Sequence, residues 1–261
     1  MCPPSARTYN PHMISNIAAY CFTPIHDPQV LADAIEAWAR DSELLGSVLV
    51  AGEGINLFLA GETASIDAFL ARLRSDARFA HVPVKSSHST HVPFARLKVR
   101  VKREIIRFDR DDASPVQRRA PAVAPEVLAR WIRQGVDDTG RRLVLLDTRN
   151  REEVGHGTFH DAITLPIDNF TELPAAVEAM RDELQDATVV SFCTGGIRCE
   201  KSALWMQDAG FEHTHQLDGG ILNYFERVGG LGYDGACFVF DGRIALDPQL
   251  RPMVDAPATV P

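Results

Sequence analysis

The sequence predicts an α/β protein of two domains, an α+β domain followed by an α/β domain with a central parallel sheet. At 261 residues the chain is long enough for two small cores. Residues 17–87 place strands and helices in the order β-α-β-β-α-β, which is ferredoxin-like. Residues 188–192 form an apolar run, followed by a glycine-containing loop and a helix-forming stretch, the strand-loop-helix unit of a parallel sheet. The predicted segments are a flexible amino terminus (1–15), the ferredoxin-like domain (16–108), a linker (109–124), the α/β domain (125–236) and a carboxy-terminal extension (237–261).

Short strands and two amphipathic helices make up the first domain. Pro28 suits the first turn of a helix whose Leu31, Ile35 and Trp38 share one face. Gly52-Glu53-Gly54 separates two strand-like runs and predicts a hairpin. The predicted elements are strand 17–22, helix 28–39, strands 47–51 and 55–60, helix 65–74 and strand 82–87.

A basic strand follows at residues 94–102, where polar and apolar residues alternate with a period of two. Leu97, Val99 and Val101 then face the domain, and the opposite face is basic. One interpretation is a stripe that contacts RNA phosphates, and the other is a solvated edge that prevents aggregation. The candidate RNA-binding residues are Arg96, Lys98, Arg100 and Lys102.

The charge of the chain is unevenly distributed. The net charge is −8, which by itself argues against a nucleic-acid partner. Residues 81–119, however, contain ten Lys and Arg against four Asp and Glu, so the remainder carries −14. A basic segment beside an otherwise acidic enzyme is able to hold an RNA backbone while the rest repels non-specific contacts.

The linker at 109–124 is rich in Asp, Arg, Ala and Pro and lacks periodicity. Val127, Leu128 and Trp131 then predict the first helix of the second domain. Beyond Asp247 the prolines favour an extended or disordered tail.

Cys193 is the candidate nucleophile. It opens the loop 193–198, Cys-Thr-Gly-Gly-Ile-Arg, between a buried strand and a helix. Glycines permit backbone N–H groups to converge on one point, and the helix dipole and Arg198 add positive charge, so we expect a lowered thiol pKa. Four residues between Cys193 and Arg198 make a loop too tight for a phosphate, which favours sulfur chemistry over phosphate hydrolysis. The candidate loop residues besides Cys193 are Thr194, Gly195, Gly196, Ile197 and Arg198.

Two further residues are candidate auxiliaries. Cys199 is expected on the helix after the loop, either as a resolving thiol or as a packing residue. Arg149 follows a strand end, where a salt bridge with Asp147 is the simpler interpretation. No metal site is predicted, because the chain has no Cys-x-x-Cys pair and its histidines are scattered.

Residues 123–236 resemble the rhodanese (sulfurtransferase-like) family. The similarity rests on Leu-Leu-Asp-Thr-Arg at 145–149, the Gly-His segment within 152–159, the Cys193 loop, and the Gly-Gly pair at 219–220. The resemblance implies a rhodanese-like fold. It also implies an active-site cysteine that is able to carry a persulfide.

A narrower resemblance covers residues 16–247. The stretches 50–56, 94–105, 193–201 and 237–241 are similar to the bacterial tRNA uridine hydroxylases, rhodanese-domain proteins with a ferredoxin- or acylphosphatase-like first domain. The resemblance implies tRNA as partner and oxygen-dependent conversion of the wobble uridine to 5-hydroxyuridine, with an essential loop cysteine and molecular oxygen as co-substrate. No cofactor motif is visible, and the electron donor and protein partners stay open. The alternative function is a thiosulfate or persulfide sulfurtransferase.

The predicted location is the cytoplasm. Residues 1–7 lack the apolar core of a signal peptide, and no run approaches the roughly 20 apolar residues of a membrane span. Five cysteines at irregular spacings fit a reducing compartment better than a disulfide framework.

Overall fold

The computed structural model describes residues 13–110 and 112–256. Residues 1–12 of the segment predicted to be flexible (1–15) lie outside the described residues. Residues 257–261 of the predicted extension lie outside them as well. None of the helices described is long and apolar enough to cross a membrane.

The first domain has the predicted ferredoxin-like topology with one added strand. Its elements are β1 (Ile14–Phe22), α1 (Pro28–Asp41), β2 (Leu45–Ala51), β3 (Gly54–Glu62), α2 (Thr63–Arg74), β4 (Val84–Ser89) and β5 (Leu97–Val101). The sheet order is β4-β1-β3-β2-β5, and the first four strands are antiparallel. The basic strand β5 pairs parallel with β2 and forms an edge of the sheet. Gly52-Glu53-Gly54 joins β2 and β3 as the predicted hairpin.

The two faces of this sheet have different roles. The inward residues of β2 and β3, such as Val48 and Leu57, pack with Ile35 of α1 and Phe69 of α2 in one core. Residues alternate across a strand, so the neighbours of these core residues point to the opposite face. That second face carries no helix of its own domain and is turned toward the second domain, where it lines a cavity.

The second domain is built on a five-stranded parallel sheet, as predicted. Its sheet order is β6-β11-β10-β7-β9. Apolar clusters cover both faces, one containing Leu146 and Leu204 and the other Val190 and Ile221. The elements are β6 (Ala122–Val123), α3 (Pro125–Gln134), β7 (Leu143–Asp147), α4 (Arg151–Val154), β8 (Gly157–Phe159), β9 (Ile163–Thr164), α5 (Leu173–Glu178), α6 (Arg181–Leu184), β10 (Thr188–Phe192), α7 (Ile197–Asp208), β11 (Thr214–Leu217) and α8 (Gly220–Val228).

The segments around this domain are more ordered than their composition suggests. The last residues of the predicted linker form β6, an edge strand paired with β11. After β12 (Tyr233–Gly235), the extension forms the hairpin-like pair β13 (Cys237–Phe238) and β14 (Ala245–Leu246). The tail beyond Asp247 was expected to be extended or disordered. Up to residue 256 it instead folds back, and Asp255 accepts a hydrogen bond from the Thr90 backbone N–H at 2.9 Å.

Candidate active site

The loop 193–198 connects β10 to α7 at the carboxyl end of the parallel sheet. Cys193 has no exposed surface, and its Sγ accepts a hydrogen bond of 3.1 Å from the Gly196 backbone N–H. Gly196 has φ +98°, and a Cβ there would lie 3.0 Å from the Tyr20 hydroxyl, so this position requires glycine. Ile197 packs on Phe22 and Ile105, which fixes the loop against the first domain.

The surroundings of Cys193 favour its thiolate. Burial acts to raise the pKa of the thiol. A hydrogen bond with Cys199, the charge of Arg198 and the backbone N–H groups of Arg198 and Gly196 oppose burial and hold the pKa well below the ordinary thiol value. The lowered pKa favours the thiolate of Cys193, and the thiolate is the form in which a cysteine reacts as a nucleophile.

Arg198 is held by an acidic partner that the sequence analysis did not single out. Its guanidinium forms two hydrogen bonds of 2.6 Å with the Glu153 carboxylate, and both side chains are buried. Burial raises the pKa of Glu153, but the bonds and charge of Arg198 outweigh it and lower that pKa. Thr194 adds a hydroxyl bond to the same carboxylate at 3.4 Å. Glu153 thus orients the arginine that stabilises the thiolate.

The two candidate auxiliaries occupy different places. Cys199 is buried in α7, where its Sγ lies 3.6 Å from the Thr148 hydroxyl, and burial and Cys193 raise its pKa. Arg149 is fully buried in an ion pair of 2.6 Å with Asp147 and also donates to the Gly157 carbonyl. Cys199 thus lies close enough to Cys193 for each thiol to affect the pKa of the other, whereas Arg149 supports the strand end beneath the loop.

The Gly-Gly pair recognised in the sequence closes the back of the loop. The Ile221 N–H at the start of α8 donates to the Cys193 carbonyl at 2.9 Å. A Cβ on Gly220 would lie 2.4 Å from that carbonyl oxygen, and its φ is +68°. Glycine at 220 therefore allows α8 to approach the loop closely enough to satisfy its carbonyl groups.

A cavity of about 920 Å³ lies between the two domains, with Cys193 in its wall. This volume is within the range of small-molecule sites, about 300–1,000 Å³. The second domain contributes Thr194, Gly195, Ile197 and Arg198, and Phe240 of the extension also lines it. Of the predicted loop residues, only Gly196 is not part of the lining, because it faces Tyr20 and Cys193.

The first domain supplies the other wall through the open face of its sheet. Tyr20, Asn56, Phe58 and Lys85 line the cavity there. The Tyr20 hydroxyl is 3.4 Å from Glu200, and burial followed by Glu200 raises the phenol pKa. Sequence reasoning missed this wall. The only signal was the period-two pattern, which placed these residues on the face without a helix.

Lys201 ties the domains together at the edge of the site. Its ammonium, 2% exposed, donates to Glu53 of the hairpin at 2.9 Å and to Glu104 at 2.6 Å. A third bond reaches the Ile106 carbonyl at 3.1 Å. Glu53 of the hairpin is therefore an interdomain residue. These three hydrogen bonds of Lys201 position residues 102–107, which form part of the cavity wall.

The basic strand continues the cavity-lining face outward. Lys98 and Arg100 of β5 are in register with Ser47 and Leu49 of β2, so they share the open face of the sheet. Both are exposed, as is Arg96 just before the strand. Lys102 follows the strand and lines the cavity itself. A basic stripe, residues 96–102, therefore leads along the sheet toward Cys193.

Metal-ligating side chains do not cluster in the part of the chain that the structure describes. No group of three His, Cys, Asp or Glu residues within 13–110 and 112–256 is arranged to hold a metal ion.

The lowered pKa of Cys193 has a direct consequence for alkylation. We expect the rate of Cys193 modification by iodoacetamide to stay near its plateau as pH falls from about 8 to about 6, because the thiolate persists, whereas a thiol of ordinary pKa slows about tenfold per unit. Peptide mass spectrometry measures this rate. Cys21 is the internal control, because burial raises its pKa. A Cys193 profile that follows Cys21 would contradict the lowered pKa.

The fold and the site define a two-domain protein of the rhodanese-like class. The chain matches the UPF0176 acylphosphatase like domain over residues 14–105 and the Rhodanese-like domain over residues 128–227. These two matches cover the β-α-β-β-α-β domain and the Cys193 loop.

Relatives at high identity extend over both domains. A tRNA uridine(34) hydroxylase of Xanthomonas campestris pv. campestris is 65% identical over 94% of this chain and 97% of its own length. An enzyme of the same name from Xanthomonas euvesicatoria pv. vesicatoria is 64% identical over 95% of this chain and 100% of its own length. Another, from Xylella fastidiosa, is 59% identical over 93% of this chain and 95% of its own length. The chain belongs to the tRNA uridine(34) hydroxylase family.

Proposed function

We propose that this protein is an oxidoreductase that hydroxylates C5 of the wobble uridine of tRNA, with molecular oxygen as co-substrate. One observation carries the proposal: in a chain 65% identical to a tRNA uridine(34) hydroxylase, the activated Cys193 lines a cavity built by both domains. A sulfurtransferase needs only the second domain and its loop. The proposed function also accounts for the open sheet face of the first domain, because that face forms one wall of the cavity that receives the base.

The substrate is recognised in two parts. The basic stripe 96–102 follows the tRNA backbone, and the wobble base leaves the anticodon stack to enter the cavity. Phe240 is 54% exposed beside the cavity and offers a ring on which a base can stack. The reaction takes place where tRNA is made and used, in the cytoplasm.

Cys193 is the residue that acts on the base. In one mechanism its thiolate adds to C6 of the uracil, which makes C5 electron-rich toward an oxygen species. In the other, O2 oxygenates the Cys193 sulfur, to a sulfenate or on a persulfide, while an external two-electron donor reduces the second oxygen atom to water; the sulfur-bound oxygen then passes to C5 and the sulfur returns to its reduced state. A tRNA with 5-fluorouridine at position 34 separates them, because the first mechanism leaves a covalent protein–RNA adduct visible by mass spectrometry.

Cys199 is proposed as the resolving thiol of Cys193 and Arg149 as a support of the loop. If Cys199 resolves an oxidised Cys193, Cys199→Ser should complete one turnover and then stop, and we expect steady-state turnover to fall at least about tenfold. Single-turnover and multiple-turnover assays measure the two quantities. Unchanged steady-state turnover would restrict Cys199 to packing.

Charge reversal on the basic stripe tests the RNA contact. We expect Lys98→Glu and Arg100→Glu each to weaken tRNA binding about tenfold and to reduce the slope of log K against log salt by about 1, because each removes a phosphate contact. Fluorescence anisotropy across a salt series measures both values. Arg40→Glu, at an exposed position of α1, is the matched control. Equal effects of all three variants would contradict the stripe.

Nucleoside analysis of tRNA tests the function itself. Cells lacking the gene should lose 5-hydroxyuridine and its derivatives, and the wild-type gene should restore them. Mass spectrometry of digested tRNA measures these nucleosides. If they persist while a thiolated nucleoside or the persulfide pool falls, the protein is a sulfurtransferase.

A further inference from the structure

Lys85 is a cation inside the cavity that the chemistry above does not use. It lies on β4, in register with Ala18 of β1, on the open face of the sheet, and it lines the cavity together with Cys193. Its ammonium lies 5.3 Å from the centre of the Tyr20 ring. The Tyr20 hydroxyl in turn reaches Gly196 of the loop, so Lys85 and the loop approach the same space from two domains.

Lys85 differs from the other enclosed cations of the two domains in having no carboxylate partner. Arg149, Arg198 and Lys201 each have a carboxylate oxygen within 2.9 Å. Within residues 13–110 and 112–256, Lys85 forms neither a hydrogen bond nor an ion pair, and its polar group meets only the face of Tyr20. Burial lowers its pKa, while the charges of Cys193, Asp218, Glu200 and Glu226 act to raise it. A partly buried ammonium that lines a cavity and has no acceptor is costly, and it marks a candidate contact for a ligand.

The chemistry of this wall specifies what the ligand must offer. An ammonium has three donors and no acceptor, so it requires an acceptor oxygen. Asn56, on the same wall, donates its amide N–H to the Ile105 carbonyl at 3.2 Å, and its amide oxygen has no hydrogen-bond partner in the described chain. The wall therefore offers a donor and an acceptor. Uracil carries the acceptor O4 beside the donor N3–H, whereas cytosine has an amino donor at C4.

We propose that Lys85 is the residue that selects uracil, donating a hydrogen bond to O4, with the Asn56 amide oxygen accepting from N3–H. This inference rests on the proposed function. Cytosine would set its amino group against the ammonium, donor against donor. With O4 held on the first-domain wall, the C5 edge of the ring is presented to the rest of the cavity, where Cys193 lies.

A phosphate is the less suitable ligand for this lysine. The exposed cations Lys98 and Arg100 already offer phosphate contacts on the approach to the cavity. Lys85 is partly buried within the cavity, against the Tyr20 ring, where a base without charge is less costly to desolvate than a phosphate. The two ligands differ in their response to salt and to base identity, so one experiment separates them.

The experiment measures binding of anticodon stem-loops with U34 or C34 to the full-length protein under nitrogen, where hydroxylation does not proceed. We expect Lys85→Met to bind U34 about tenfold more weakly, to bind C34 at least as well as the wild type does because the opposed donor is gone, and to keep the salt slope. Lys102→Met, at the cavity-lining lysine of the basic stripe, should weaken both RNAs equally and reduce the slope by about 1. A thermal melt confirms that each variant is folded.

A second experiment changes the RNA and needs no protein variant. With the wild type, 4-thiouridine at position 34 should bind about tenfold more weakly than uridine, because sulfur is a poor acceptor, and 2-thiouridine should bind as uridine does. Equal loss for U34 and C34 in Lys85→Met, with a reduced salt slope, would assign Lys85 to a phosphate and overturn the inference. An undiminished U34 preference would overturn it as well. Failure of the proposed function is distinguishable from failure of this inference, because the wild type would then form no 5-hydroxyuridine in air.

Discussion

Replacing Cys193 with serine should reduce 5-hydroxyuridine formation by a factor on the order of 10³ or more, with tRNA binding retained. The reason is ionisation: the loop stabilises a thiolate, whereas a serine hydroxyl in the same place stays protonated and is a poor nucleophile. The measurement is 5-hydroxyuridine formed by purified protein on unmodified tRNA, quantified by mass spectrometry.

Cys21→Ser is the matched control for this experiment. Cys21 lies on β1, donates to the Arg78 carbonyl and is not part of the cavity lining, so this variant should retain full activity. Cys193→Ser activity within about tenfold of wild type would show that the thiolate is not the acting group.

Arg198→Met should both destabilise the protein and raise the pKa of Cys193. Removing the guanidinium leaves the Glu153 carboxylate, 2% exposed, without its partner, and breaking a buried pair in this way costs about 3–5 kcal/mol of unfolding free energy. The thiol also loses the positive charge that opposes its burial. Chemical denaturation measures the first effect and the pH profile of Cys193 alkylation measures the second.

Two further variants separate stability from chemistry. Arg198→Met combined with Glu153→Gln removes the orphaned charge and should recover much of the lost stability, while the Cys193 pKa stays raised. Arg151, on the short helix α4, forms an exposed ion pair with Asp168. Arg151→Met breaks this pair and should leave the unfolding free energy nearly unchanged. An unchanged alkylation profile in Arg198→Met would remove the arginine from thiolate stabilisation.

The Cys193 loop was predictable because its geometry is local. Strand 188–192 was predicted with the bounds that the structure shows, and the Cys193-to-Arg198 spacing lies within a single connection between strand and helix. Glycine at 196 follows from the positive φ required there. Helix and strand periodicity likewise predicted the β-α-β-β-α-β order, because alternation of apolar residues depends only on near neighbours.

The partners of the site residues were not predictable in this way. Glu153 lies 45 residues from Arg198, and Glu53 lies 148 residues from Lys201. Periodicity does not show which acidic residue pairs with a given Arg or Lys that lies far away in the chain. The Gly-Glu-Gly hairpin and the stretch 193–201, which ends at Lys201, are separate features of the sequence, and only packing shows that they form one contact.

The sequence by itself determined the fold class of both domains, the Cys193 loop and the basic stripe, since each depends on local spacing. Tertiary structure alone decided what covers the open face of the first sheet. Alternation on β1 and β4 places Tyr20 and Lys85 on one face, but it does not say whether water, a helix or another domain lies opposite. Docking of the second domain converts that face into a cavity wall, because burial and electrostatic pairing between distant segments exist only in the folded chain.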